Sequence, residues 1–79
     1  MKLPRDISGR ALVTALCREW GYVTIHQTGS HVILETAEPF HQRIAIPDHR
    51  SLRVGTLNSI LRAVAKHKGV RREEILTWV

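Results

Sequence analysis

His31 follows directly on the turn Thr28-Gly29-Ser30 and opens the apolar run Val32-Ile33-Leu34. A turn feeding a strand is expected to hold that imidazole beside the turn's own backbone amides. Gly29 tolerates the positive φ such a turn requires, and the amides of Gly29 and Ser30 then form a small anion-binding concavity. An imidazole ordinarily titrates near pH ~6.5, so both of its protonation states are available near neutrality. The chemistry that suits this set is proton transfer at a phosphodiester. RNA carries its own nucleophile, the 2′-OH, so cleavage needs only a base for that proton, a donor for the departing 5′-oxygen and positive charge around phosphorus.

One imidazole cannot be base and acid in the same step. His26, on the preceding run, is the nearest second proton carrier, with Tyr22 or Arg43 able to stabilise charge instead and Ser30 as a turn residue and phosphate contact. His26 and His31 offer two imidazole ligands to an ion, but no cysteine or carboxylate pair completes a ligand set and Glu35 is one strand repeat too distant. No metal and no cofactor is therefore expected. His41, His49 and His67 read as solvated, Cys17 as a small buried hydrophobe, and Trp20 and Trp78 as packing residues. Glycine loops for nucleotides and a nucleophile elbow are absent.

The elements that must position these residues are legible from periodicity. Ser8 is an N-cap, Ile7 and Leu12 form a staple across it, and Leu12, Val13, Leu16, Cys17 and Trp20 recur at helical spacing until Gly21. Residues 22–27 alternate with period 2, as do residues 31–35, so the pair predicts an antiparallel hairpin, with a third strand over 42–46 ended by Pro47. Thr56 caps a helix to Lys68 with Leu57, Ile60, Leu61, Val64 and Ala65 on one stripe, and Gly69 closes it. A last helix over 72–78 places Glu73 and Glu74 in its first turn, where the dipole favours acids. The order is α-β-β-β-α-α, an α+β three-stranded antiparallel sheet with helices on one face. Strict alternation turns Val23, Ile25, Val32, Leu34, Ile44 and Ile46 toward the helices. It leaves Tyr22, Thr24, His26, His31, Ile33, Glu35, Arg43 and Ala45 on the open face, with the two histidines nearly opposite across the turn.

Composition bounds the rest. Seventy-nine residues make one domain, 1–79, that buries only roughly 60% of its unfolded surface, so any chemistry sits on an open surface. One cysteine excludes an internal disulfide, and without a signal-like segment the chain is expected to be cytoplasmic; no apolar stretch approaches the ~20 residues that span a bilayer. The first forty residues are neutral, so the net charge of +5 belongs wholly to the second half, and Arg50 to Arg72 holds seven basic residues and no acid. Such a segment repels itself unless a polyanion relieves it, and phosphate backbones are the commonest such partner. Arg62 and Lys66 are like charges one turn apart, and the amides at Gly55-Thr56 are open to a phosphate unless Thr56 simply caps its helix.

Gly29-Ser30-His31 after a first helix and strand, a third strand ending Ile46-Pro47, and Gly55-Thr56-Leu57-Asn58-Ser59-Ile60-Leu61 opening a helix resemble the HicA (YcfA-like) toxin family over about residues 8–76. The resemblance implies a double-stranded-RNA-binding-domain-like fold and a metal-independent endoribonuclease, an mRNA interferase of a toxin-antitoxin system. It implies a HicB-like antitoxin that covers the active surface, in a complex that can be of higher order, and it makes His31 the catalytic residue. From the residue chemistry and charge, not from the resemblance, His26, Ser30, Gly29 and Tyr22 are the candidates for its support, and Arg43, Arg50, Arg53, Thr56, Arg62 and Lys66 the candidate contacts to RNA. The alternative is a non-catalytic RNA-binding domain of the same fold.

Overall fold

A computed structural model describes residues 3–79. Helix α1 spans Gly9–Glu19, and Ser8 caps it by accepting the Ala11 amide at 3.0 Å. Leu12, Val13 and Leu16 are its buried stripe, Ile7 packs against the same core, and Gly21 turns the chain at φ 74°. Strands β1 (Val23–Thr28), β2 (His31–Thr36) and β3 (Gln42–Pro47) form an antiparallel sheet in the order β1-β2-β3. Helix α2 (Val54–Lys68) buries Leu57, Leu61 and Val64 against Val32, Leu34 and Ile46. Helix α3 (Arg72–Leu76) returns along α2 and inserts Ile75 into the core. The α-β-β-β-α-α order and the α+β class are those the periodicity predicts.

Strict alternation fails on β1. Tyr22 is not on the open face: it precedes the strand, is 1% exposed, and donates its hydroxyl to Gln42 Oε1 while Lys68 Nζ sits 4.8 Å from its ring centroid. Burial of so large a ring outweighs the period-2 pattern, because aromatic side chains carry the largest burial gain. The next residues therefore reverse. Val23 is 62% exposed, Thr24 turns to the helix side with its hydroxyl 3.9 Å from Cys17 Sγ, and Ile25 is 41% exposed. The register shifts between Thr24 and His26, a bulge at Ile25 that resets the alternation. That bulge alone keeps His26 on the open face, paired with Ile33.

Other expectations also change. Thr56 does not cap α2: the helix begins two residues earlier with Arg53 as N-cap at φ −63°, ψ 144°, which makes Thr56 a first-turn residue. His67 is buried rather than solvated, its Nε2–H donating to the Phe40 carbonyl at 2.7 Å. Trp78 is exposed because α3 ends at Leu76, before the indole can be carried onto the core. Cys17 is half-buried at the edge of the α1 stripe. Gly69 closes α2 in the left-handed region at φ 68°, as its place after Lys68 predicts.

Candidate active site

His31 opens β2 with its side chain exposed, opposite Thr28 of β1 and Pro47 of β3. Gly29 adopts φ 57° with open space where a Cβ would stand, so the turn needs glycine for its backbone and not for room. The turn is fastened from both sides. Gln27 Nε2 donates to the Gly29 carbonyl at 3.2 Å, and the Asp48 amide donates to the Ser30 carbonyl at 2.6 Å. Asp48 Oδ2 also accepts from Arg10 Nη2 at 3.0 Å and Gln27 Nε2 at 3.2 Å, while Arg10 reaches Gln27 Oε1 at 3.1 Å. One carboxylate thus ties α1, the hairpin and the end of β3 together.

The start of α1 presses on the same corner. The Gly9 amide donates to the His49 carbonyl at 2.8 Å, and a Cβ on Gly9 would lie 1.8 Å from the Pro47 oxygen. Only glycine lets the helix approach this closely. Since Pro47 is the register partner of His31, the packing of Gly9 bears directly on where the imidazole stands.

His26 shares the open face with His31. The register pairs His26 with Ile33 and His31 with Thr28, so the two histidines are diagonal neighbours rather than opposite each other. Diagonal cross-strand neighbours are ~7–8 Å apart. Tyr22 lies outside the site in the core, where burial pushes its phenol up to about 12. Arg43 pairs with Glu35 at 2.8 Å, and His41 Nε2 lies 3.4 Å from the other oxygen of that carboxylate. Glu35 is four residues along β2 from His31, roughly 13 Å at strand rise, so Arg43 does not stand beside the imidazole.

The basic residues divide into two groups. Arg50 and Arg53 are exposed in the connection that leaves Asp48 and enters α2, at the hairpin end of the molecule, with Thr56 half-buried one turn on. Arg62 and Lys66 are exposed on the distal half of α2. From Arg53 to Lys66 the helix rises about 20 Å, so the structure does not bring all the expected RNA contacts together. Gly9, Arg10, Gln27 and Asp48 were not anticipated in the site. Asp48 carried a signal: it is the only acid between Glu38 and Glu73, an isolated carboxylate in a cationic segment. Among the described residues no three His, Cys, Asp or Glu side chains cluster as a metal site, and no helix is long and apolar enough to cross a membrane.

This is a small α+β domain of α-β-β-β-α order with an imidazole displayed on an open sheet beside a fastened turn. A family model described as the HicA toxin of bacterial toxin-antitoxin systems matches residues 9–65. The chain belongs to the HicA toxin family and is the toxin of a toxin-antitoxin system. No curated protein and no solved structure matches it.

Proposed function

We propose that this toxin is a metal-independent endoribonuclease that cuts mRNA, with His31 as its catalytic residue and a HicB-like antitoxin as its inhibitor. The observation that carries the reading is the exposed His31 imidazole at the end of a turn whose backbone is held by Gln27 and Asp48. Neutral His31 takes the 2′-OH proton, the 2′-oxygen attacks the adjacent phosphorus, and the P–O5′ bond breaks. The 5′-oxygen leaves with a proton, giving a 2′,3′-cyclic phosphate and a 5′-hydroxyl. His26, diagonal to His31 on the same face, supplies that proton, because diagonal neighbours whose backbones stand ~7–8 Å apart can both reach one phosphodiester. The Gly29 and Ser30 amides steady the phosphate oxygens, and Arg50, Arg53 and Thr56 extend the contact toward α2.

A HicB-like antitoxin then acts by covering the open face of β1-β2-β3, in the cytoplasm and in an assembly that can include several copies. Incubation of purified protein with RNA in EDTA tests the enzyme. The parent should cleave, and His31→Ala should lose cleavage while keeping its fold and RNA affinity. Cleavage by His31→Ala at the parental rate overturns the assignment, and binding without cleavage by the parent establishes the non-catalytic RNA-binding domain instead.

A further inference from the structure

Away from His31, the outer side of α2 carries a second concentration of charge. Arg62 and Lys66 of α2, with Arg71 and Arg72 at the start of α3, line one open cleft of about 530 Å3. The ion pairs among the described residues are Arg10–Asp48, His41–Glu35 and Arg43–Glu35, and none involves these four cations. Arg72 is oriented by donating to Asn58 Oδ1. Four like charges around one cleft repel one another, and a polyanion reverses that cost.

Lys66 and Ala63 form a ridge shared with an adjoining cleft of about 450 Å3, whose other wall includes Phe40, His41 and His67. Phe40 is the chain's only phenylalanine and is 66% exposed. A ring that gains so much from burial stands in the open, and it is held there. His67 packs edge-on against it at 4.5 Å and 69°, and the His67 Nε2–H donates to the Phe40 carbonyl. A fixed, exposed aromatic beside a row of cations matches what a single-stranded nucleic acid needs: a ring for a base to stack on and positive charge for its phosphates. A duplex keeps its base faces in its own stack, so the ring selects the single strand.

We propose that the two clefts form one binding track for single-stranded RNA, with a base stacked on Phe40 and the neighbouring phosphates on Lys66, Arg62, Arg71 and Arg72. The choice of RNA rests on the ribonuclease reading; the track itself does not involve His31. Anisotropy of a labelled single-stranded 2′-O-methyl oligoribonucleotide of roughly 12 nucleotides measures binding without cleavage, because the probe has no free 2′-OH. Phe40→Ala is expected to weaken binding about 5-fold or more, and Phe40→Trp to restore it. Arg62→Gln, Lys66→Gln and Arg71→Gln should each weaken binding and flatten the slope of log affinity against log salt by up to ~0.7.

Unchanged affinity and slope in these variants, with the parent binding the probe, overturn the track and leave the ribonuclease reading standing. No binding by the parent, or a preference for the matched duplex, overturns the track as well. Weakened binding in the variants of a parent that cuts no RNA keeps the track and overturns the ribonuclease reading. Should the substitutions spare the probe and weaken only the antitoxin complex, the clefts are a protein interface and the proposal fails.

Discussion

The two ends of the sheet treat a histidine in opposite ways. At the hairpin end, Arg10 of α1 and Gln27 of β1 converge on the Asp48 carboxylate, Gln27 also bonds the Gly29 carbonyl and the Asp48 amide bonds the Ser30 carbonyl, so the scaffold is satisfied without the imidazole and His31 is left exposed. At the other end, polar side chains fasten the β2–β3 connection. His67 bonds the Phe40 carbonyl, and Lys68 Nζ donates to Thr36 Oγ1 at 2.9 Å and to the Glu38 carbonyl at 2.6 Å. Burial there holds the Lys68 amine below its ordinary pKa, partly opposed by the nearby Glu38 carboxylate. A histidine is free for chemistry where other groups do the holding, and structural where it does the holding itself.

Exchanging the two histidines for alanine is the sharpest way to break that contrast. His31→Ala should lower RNA cleavage by about 10²–10⁴-fold with an unchanged melting temperature. His67→Ala should instead lose about 1–3 kcal/mol in denaturant unfolding and, while folded, keep cleaving at saturating RNA even where the freed Phe40 ring weakens RNA binding. Equal losses of stability in both would erase the distinction between the two ends.

Gly9→Ala comes next. A Cβ 1.8 Å from the Pro47 oxygen forces α1 off the corner, costing about 1–3 kcal/mol, and it should lower cleavage by shifting the strand partner of His31. Lys68→Met follows, with a loss of about 1 kcal/mol and no change in cleavage per folded molecule.

The last effect is nil at neutral pH and develops only in alkali. Tyr22 is the chain's only tyrosine, so phenolate absorbance reports it alone, with a midpoint at about 12 in the folded protein against ~10 unfolded. The folded state keeps this proton longer than the unfolded chain. Stability is therefore intact below pH ~10 and falls as pH rises toward 12. A midpoint near 10 in the native protein would place Tyr22 at the surface.

Most of the architecture was legible in the chain. Helical stripes, Ser8, Gly21, Gly69 and the turn at Gly29 mark their elements because those signals are local: a cap, a period or a left-handed residue acts within a few positions of itself. The reversal at Tyr22 was not legible, since alternation cannot show that one large ring will leave its strand for the core, nor that a bulge at Ile25 will then restore His26 to the open face. Arg43 likewise reads as a free cation until the register sets it against Glu35.

By itself the sequence determined the order of elements, the cationic second half, the turn that presents His31 and the family to which these motifs belong. The tertiary structure alone decided that His67 is buried while the other four histidines stay exposed, that the single tyrosine leaves the open face for the core, and that Gly9, Arg10, Gln27 and Asp48 hold the corner around His31. The reason is range. Periodicity and turn chemistry are written between neighbours in the chain, whereas the Arg10–Asp48 contact joins residues 38 positions apart and exists only once the sheet has brought them together.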